Sequence, residues 1–407
     1  MIFSRLRRLS GGDPQSGVTI LVDGMPSIAI AGSMAQRAGY GGHAWVFLQY
    51  LLGFRLLGYE PVFIDRLTAD MATDPRGRPS RRARTASIRW LTGIMDRFGL
   101  GDSYALLLDD GSETVGLTRR QALERVRQSA MLINVMGFLS DHDFLAAAPR
   151  RVFLDIDPGF PQMWRELGQA DSLSGHDDFV TIAENIGDER CSIPTCGLSW
   201  VTTPQPIALD WWPPVEGGSG FTSIGAWRGP YDPVEYGGRR YGLRAHEFRR
   251  FVELPSRTRA SFEAALDIDP ADEDDLELLR RNSWTLVPPG SVTADPYAYR
   301  AYIQGSAAEL MIAKNMYVQT WSGWFSDRSI CFLASGKPVL AEDTGFTHNY
   351  ASGEGLLGFS ELDEAVDGVE EICGNLERHA TAARILAEDC FDSRKVLGRL
   401  LDKLGAR

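Results

Sequence analysis

One stretch of the chain, residues 322–345, constrains its fold more than any other. Ser326 is a good helix N-cap, and Asp327 stands where an acidic side chain stabilises the start of a helix. Gly336 ends this predicted helix, and a buried strand begins at Pro338. A second glycine turn follows at residues 343–345. The stretch therefore predicts a polar turn, a short helix, a strand and a glycine turn in that order.

The start of this predicted helix is an expected anion site. Its first turn offers free backbone N–H groups, and Arg328 lies beside them in the sequence. The most economical anion is the diphosphate of a nucleotide-sugar. Arg228 and Lys314 add two further cations, although a surface ion pair is the alternative for each. The predicted donor-binding residues are Arg228, Lys314, Ser326, Asp327, Arg328, Ser329, Asp343, Thr344, Gly345 and Phe346.

Size, charge and cysteine usage limit the class of protein. A chain of 407 residues is too long for one core and fits two domains. Its net charge of −12 argues against a nucleic-acid or anionic-membrane surface, and it is compatible with a local phosphate pocket. Five cysteines without metal-type spacing favour reduced thiols in a cytoplasm and no metal site. The most apolar predicted helix, residues 44–57, is too short to span a bilayer.

The alternation of strands and helices predicts the fold class. A strand at Ser27–Gly32, a glycine loop, a helix and a strand at Pro61–Asp65 form a βαβ unit. The alternation starts again with a strand at Phe221–Trp227. Further along, we predict a helix near Tyr297–Lys314 and a strand near Met316–Gln319. The chain is thus predicted to be an α/β protein with two Rossmann-like βαβ domains that face each other across a cleft.

Candidate catalytic residues of the first domain are His43 and Asp157. In the motif Gly41-Gly42-His43, the glycines allow a close backbone approach or a positive-φ turn. His43 is either a general base with a pKa near neutrality or a structural cap. Asp157 follows a strand and can polarise a hydroxyl, although Asp-Pro-Gly is also strong turn chemistry. Gly41, Gly42 and the pair Glu184-Asn185 are predicted to lie on the acceptor side, with a loop anchor as the alternative for the pair.

Two motifs of the second half resemble the donor half of the GT-B glycosyltransferases. Ala334-Ser-Gly-Lys-Pro-Val339 is similar to the Ala-x-Gly-x-Pro-Val sequence of these enzymes, and Asp343-Thr-Gly345 is similar to their Asp-x-Gly turn. The pattern looks closest to glycosyltransferase family 4, which implies retention of the anomeric configuration. Many members hold the donor ribose with a Glu five residues before the glycine. This chain has Cys331 there, so either the ribose is held differently or the chain is a divergent branch.

The resemblance and the composition together predict the domain boundaries. Residues 1–17 are expected to be a flexible leader, and prolines and glycines make 213–220 a hinge. Residues 18–212 are then an N-terminal acceptor-side domain, and residues 221–385 are a C-terminal nucleotide-sugar-binding domain. A C-terminal helix over 386–407 is free to cross back to the first domain.

The resemblance implies a metal-independent glycosyltransferase that moves a sugar from a nucleoside-diphosphate donor to an unidentified acceptor, such as a natural product or a glycan. The donor is UDP-, TDP- or GDP-linked and is a substrate, so no cofactor is expected. The expected partners are small molecules, with no nucleic acid and no transmembrane segment, and the chain is expected to be a cytoplasmic monomer or homodimer. Two alternatives stay open: a nucleotide-sugar epimerase of the same fold, which needs paired acid/base carboxylates, and a non-catalytic nucleotide- or sugar-binding protein.

Overall fold

The computed structural model describes residues 25–73 and 78–406, so the predicted leader over residues 1–17 lies outside the described residues. Two β-sheets with parallel cores, each flanked by helices, form the described structure. The first sheet is built from residues before the predicted hinge and the second from residues within and after it.

Eight strands form the first sheet among the described residues. They are β1 Ser27–Gly32, β2 Glu60–Leu67, β3 Tyr104–Leu108, β4 Glu113–Gly116, β5 Leu132–Val135, β6 Arg151–Asp155, β7 Asp178–Thr181 and β8 Trp200–Thr202. Their order across the sheet is β4-β3-β2-β1-β5-β6-β7-β8. All neighbours pair in parallel except the edge strand β4, which is antiparallel to β3. The α-helices of this part are α1 Gly41–Leu56, α2 Arg81–Arg97, α3 Arg119–Gln128, α4 His142–Ala147 and α5 Phe160–Glu166.

The second half contains a six-stranded parallel sheet and a separate hairpin. Its strands are β9 Ser219–Ala226, β10 Val234–Tyr236, β11 Arg239–Tyr241, β12 Phe262–Asp267, β13 Thr285–Leu286, β14 Ser306–Met311, β15 Val339–Glu342 and β16 Leu356–Phe359. The sheet order is β13-β12-β9-β14-β15-β16, and β10 pairs with β11. The helices are α6 Arg244–Phe248, α7 Leu254–Arg257, α8 Glu273–Arg281, α9 Pro289–Val292, α10 Pro296–Gly305, α11 Asn315–Gln319, α12 Asp327–Ala334, α13 Leu362–Gly374, α14 Leu376–Leu386 and α15 Ser393–Lys403.

Helix α1 lies at the centre of the molecule because it is apolar on nearly every side. Its aromatic residues Trp45, Phe47 and Phe54 are fully buried. Helix α15 packs on it closely enough that a Cβ atom on Gly53 would lie 2.6 Å from Leu397 Cδ1. The last helix of the chain, α15, therefore contacts α1, which is one of the helices that flank the first sheet. The domain boundaries themselves stay a prediction.

The helix–strand unit predicted within residues 322–345 is present. The Ser326 hydroxyl accepts a hydrogen bond from the Arg328 backbone N–H at 3.2 Å and caps α12. Gly336, with a φ of 68°, ends the helix in the left-handed conformation that favours glycine. β15 follows and is completely buried.

Two predictions near the end of α10 are wrong. The helix predicted near Tyr297–Lys314 ends at Gly305, and its second part is strand β14. The strand predicted near Met316–Gln319 is helix α11. Residues 307–311, Ala-Ala-Glu-Leu-Met, have high helix propensity, but they lie between β9 and β15 in the middle of a sheet. Pairing with both neighbours overrides the local preference.

Within the described part of the chain, no helix combines the length and the apolar character that a membrane span requires.

Candidate functional site

A cleft of about 190 Å³ lies where the first turn of α1 meets the carboxyl ends of β9 and β12 and the start of α12. His43 lines it from the first half of the chain, and Gly225, Asp267, Asp327 and Arg328 line it from the second half. Ligands of open α/β sheets bind beyond the carboxyl ends of the strands. The cleft is therefore the candidate functional site.

Gly41 and Gly42 let the start of α1 come very close to the second half. The Gly41 N–H donates a hydrogen bond of 2.6 Å to the Thr293 carbonyl. A Cβ atom on Gly41 would lie 2.2 Å from the Asp295 carbonyl oxygen, and one on Gly42 would lie 2.8 Å from the Tyr299 ring. Neither glycine has a positive φ. Of the two roles predicted for these glycines, the structure shows the close backbone approach. They approach the backbone of the second half of this same chain.

His43 is partly buried beside the cleft and is held as a neutral imidazole. Its Nε2 lies 3.1 Å from the Ser33 carbonyl oxygen, which can only accept, so Nε2 carries the proton and Nδ1 is the basic nitrogen. Burial lowers the pKa of His43 to about 4. This pKa lies below the near-neutral value that we predicted for a general base, because burial outweighs the contact with Ser33. The catalytic role of His43 stays a prediction.

Arg328 brings a buried guanidinium to the wall of the cleft. Its Nε donates to Glu309 Oε1 at 2.5 Å. Among the described residues, no hydrogen bond uses the two terminal nitrogens of Arg328. The neighbouring Ser329 hydroxyl is fully buried and lacks a hydrogen-bond partner within the described structure. The start of α12 therefore has polar groups with unused hydrogen-bonding capacity.

Arg244, which the sequence did not predict, is a second buried guanidinium next to this site. It is not a lining residue of the cleft but lies against Gly225, which is one. Its Nη1 donates to the Ile224 carbonyl at 3.1 Å and lies 1.5 Å from the place where a Cβ on Gly225 would be, so a larger residue there would displace this guanidinium. Its Nε is buried without a partner among the described residues. Burial, and the charge of Arg328, lower the pKa of Arg244 to about 10, so it remains a cation at neutral pH. Its position at the start of α6, the first α-helix after β9, is the signal that was available in the sequence.

Asp157 and Lys314, which we predicted for different roles, form an ion pair with each other. Lys314 Nζ lies 2.7 Å from both carboxylate oxygens of Asp157, and the Tyr317 hydroxyl also donates to this carboxylate. The ammonium lies over the rings of Phe160 and Tyr231. Asp157 follows β6 and Lys314 follows β14, so the pair joins the carboxyl ends of the two sheets. Lys314 is not a lining residue of the cleft at Arg328.

The pair Glu184-Asn185 contacts the second half as well. Asn185 Nδ2 donates to the Gly345 carbonyl at 3.1 Å and to the Trp321 carbonyl at 3.2 Å. Glu184 accepts a hydrogen bond from the Tyr350 hydroxyl. Both side chains serve as anchors between the two halves, which is the alternative left open for them. Their role in acceptor binding stays a prediction.

The predicted turn at residues 343–346 lies against this anchor. The Asp343 carboxylate accepts from the Gly345 N–H at 2.8 Å, and the Thr344 hydroxyl donates to the Trp324 carbonyl at 2.5 Å. Phe346 is fully buried. Arg228 is separate from all of these groups: its exposed side chain pairs with Asp272. The structure thus distributes the predicted site residues over the cleft, the interdomain ion pair, the anchor and the surface.

Comparison with known proteins identifies the fold. No protein-family model matches the chain, and no curated protein matches its sequence. Sucrose-phosphate synthase from Thermosynechococcus elongatus is similar in structure, with 12% identity, 94% of this chain and 99% of that chain covered, and a TM-score of 0.52. An alpha-glucosyltransferase in complex with UDP-glucose and DNA containing an abasic site has 12% identity, 93% and 98% coverage and a TM-score of 0.56. Anabaena Alr3699/HepE in complex with UDP has 9% identity, 94% and 100% coverage and a TM-score of 0.53.

These likenesses show the two-domain GT-B fold of glycosyltransferases. The predicted fold class, α/β with two Rossmann-like domains that face each other across a cleft, is therefore confirmed. The finer resemblance to glycosyltransferase family 4, the site residues and the absence of a metal requirement stay predictions.

We predict that Asp157 and Lys314 stabilise the contact between the halves as a pair. Their side chains are 16% and 15% exposed, so removing one leaves a mostly buried, unpaired charge. Asp157→Asn and Lys314→Met should each lower the free energy of unfolding by about 2 kcal/mol, between the values for exposed and fully buried pairs. The double variant should lose clearly less free energy of unfolding than the sum of the two single-variant losses, as measured by urea unfolding. Asp188→Asn, which breaks an exposed pair with Arg190, is the control. Additive losses would contradict the pairing.

A second prediction concerns pH. The folded state binds fewer protons at His43 than the unfolded chain between the ordinary pKa of 6.5 and the lowered pKa of about 4. Stability from the neutral ring is therefore present above pH 6.5 and is lost as the pH falls through this window. Between pH 7 and pH 5, wild type should lose about 2 kcal/mol more than His43→Gln. Urea unfolding of both proteins at the two pH values measures the difference, and equal losses would contradict the lowered pKa.

Proposed function

We propose that this protein is a glycosyltransferase that moves a sugar from a nucleoside-diphosphate donor to an acceptor. One observation carries the proposal: Arg328 lines the cleft beyond the carboxyl ends of the second sheet with both terminal nitrogens unused. Arg244 lies against the same wall at Gly225. Two planar guanidinium groups with free N–H donors match the oxygens of a diphosphate.

The two arginines supply what the reaction needs at the leaving group. As the bond between the anomeric carbon and the diphosphate oxygen breaks, negative charge grows on that oxygen. Guanidinium groups fixed in a partly buried cleft stabilise this charge more than water does, because they need no reorganisation. The start of α12 adds a dipole of the same sign.

His43 lines the same cleft from the first domain and is placed for the acceptor. A bond forms between the acceptor oxygen and the anomeric carbon, and the acceptor proton has to leave. Nδ1 of the neutral imidazole accepts a hydrogen bond from that hydroxyl and can receive its proton. With a pKa of about 4 it is a weak base, so its main contribution is to orient the hydroxyl. Asp157, held by Lys314, is in this proposal a positioning residue between the domains.

The similar structures are compatible with such a donor. The alpha-glucosyltransferase is in complex with UDP-glucose, and Alr3699/HepE is in complex with UDP. For this chain we propose a small-molecule or glycan acceptor. The net charge of −12 disfavours a nucleic-acid acceptor, although the alpha-glucosyltransferase complex contains DNA.

Replacement of Arg244 tests the donor site without leaving a carboxylate unpaired, because Arg244 has no ion pair among the described residues. Arg244→Met should weaken UDP or GDP binding about 10- to 100-fold. It should change the free energy of unfolding by no more than about 1 kcal/mol, because it also removes a buried charge. Calorimetric titration with each nucleoside diphosphate measures affinity, and urea unfolding measures stability.

The control is Arg239→Met, which removes an exposed arginine of strand β11. If Arg244→Met binds both nucleoside diphosphates as tightly as wild type, the proposed diphosphate site is wrong. Turnover separates an enzyme from a binding protein: wild type should release the nucleoside diphosphate from a nucleotide-sugar faster when an acceptor mixture is added. Binding with no release under any condition would contradict the enzymatic proposal.

A further inference from the structure

The cleft contains a carboxylate that the proposed chemistry does not use. Asp267 is the last residue of β12 and lines the cleft together with Arg328. One of its oxygens accepts a hydrogen bond of 3.2 Å from the Tyr40 hydroxyl across the gap between the two halves. Within residues 25–73 and 78–406 it has no salt-bridge partner. An exposed, unpaired carboxylate in the wall of a candidate anion site requires a reason.

Sheet topology places Asp267 on the other side of β9 from the cationic groups. Asp267 is in register with Ala226 at the carboxyl end of β9. Arg328 is bound to Glu309 of β14, which is the neighbour of β9 on the opposite side. Strands two positions apart are separated by about 10 Å. A ligand group bound at Asp267 is thus close to a diphosphate bound at Arg328 but is not part of that diphosphate.

The chemistry of a carboxylate selects the group that it can hold. An ionised carboxylate only accepts hydrogen bonds and has about four lone-pair sites, of which Tyr40 uses one. It repels phosphates and carbonyl oxygens, but it can accept from two adjacent hydroxyl groups at once. In nucleotide-binding βαβ units, an acidic residue after the second strand holds a ribose hydroxyl. β12 is the strand that pairs beside β9 in such a unit.

The other candidates for this role in the cleft are weaker. Asp327 is next to Arg328 in the sequence, and burial raises the pKa of its carboxyl despite the charges of Arg328 and Arg244, so it is a poorer ionised acceptor. Cys331 is 2% exposed, and its thiol contacts the Asp327 carbonyl in the interior of α12. Asp267 is the carboxylate that is both exposed to the cleft and distant from the cations.

We propose that Asp267 holds the vicinal hydroxyls of the donor ribose, so that the protein takes ribonucleotide donors and discriminates against 2′-deoxy donors such as dTDP-sugars. The proposal rests on the proposed function and adds the class of donor to it. The transferred sugar also carries adjacent hydroxyls. Nucleoside diphosphates that lack the transferred sugar distinguish the ribose hydroxyls from the sugar hydroxyls, because the ribose is then the only diol present.

The experiment is a calorimetric titration of the full chain with UDP, 2′-deoxy-UDP and UDP-glucose. Wild type should bind UDP at least about tenfold more tightly than 2′-deoxy-UDP, the loss expected for a hydrogen bond to a charged group. Asp267→Ala should bring the two affinities within about threefold by weakening UDP binding alone. Asp274→Ala, which removes an exposed carboxylate of helix α8, is the matched control and should keep the wild-type ratio.

The outcomes are distinguishable. Equal affinities of wild type for UDP and 2′-deoxy-UDP, or a ratio that survives Asp267→Ala, would overturn the role of Asp267 and leave the diphosphate site intact. If Asp267→Ala weakens the binding of UDP-glucose and leaves the binding of UDP unchanged, Asp267 holds a diol of the transferred sugar, and the ribose assignment is wrong. If wild type binds GDP and not UDP, the same comparison is made with GDP and 2′-deoxy-GDP; if it binds neither nucleoside diphosphate, the proposed function itself fails.

Discussion

The close contact between the start of α1 and the second domain is the constraint on which the site depends. Gly41 and Gly42 bring the helix against the Asp295 carbonyl and the Tyr299 ring, at distances that a side chain on either glycine would prevent. Trp45, one turn further along, extends the contact with a 2.8 Å hydrogen bond from its indole to the Pro296 carbonyl. Because α1 is fixed in this way, His43 lines the same cleft as Arg328. Two sheets that are far apart in sequence thereby share one cleft.

The pairing of the cations separates structural charges from functional ones. Lys314 has a carboxylate and aromatic rings around it, and Arg228 has Asp272, so both are satisfied without a ligand. Arg244 is buried with no carboxylate and with an unpartnered Nε, and Arg328 keeps two terminal nitrogens unused. Burying a cation in this way is unfavourable for folding. Local features that oppose stability are concentrated at functional sites, where a ligand completes them. This contrast places the anion site at Arg244 and Arg328 in our proposal.

The sequence was sufficient for the architecture and for the start of α12, because both depend on local signals. Apolar strands, helix caps and glycine breaks act over a few residues, and Ser326 and Gly336 behave as their types predict. β14 was mistaken for a helix because its strand conformation depends on two neighbouring strands far away in sequence. Contacts between the domains were the least predictable. Nothing near Asp157 indicates Lys314, and nothing near Tyr40 indicates Asp267, since each partner is more than a hundred residues away.

The volume of the cleft has a consequence for the proposed donor. About 190 Å³ is less than the roughly 300–1,000 Å³ typical of small-molecule sites, so the conformation described here is closed too tightly for a nucleotide-sugar. Contacts around the cleft must therefore give way for the donor to enter. The Tyr40–Asp267 hydrogen bond joins two lining residues of the cleft, is exposed, and costs little to exchange for a ligand hydroxyl. The Lys314–Asp157 pair is mostly buried and costs more to break. A local movement of Tyr40 that releases Asp267, while the Gly41–Thr293 and Lys314–Asp157 contacts stay in place, therefore needs the least free energy, and it frees Asp267 for the donor.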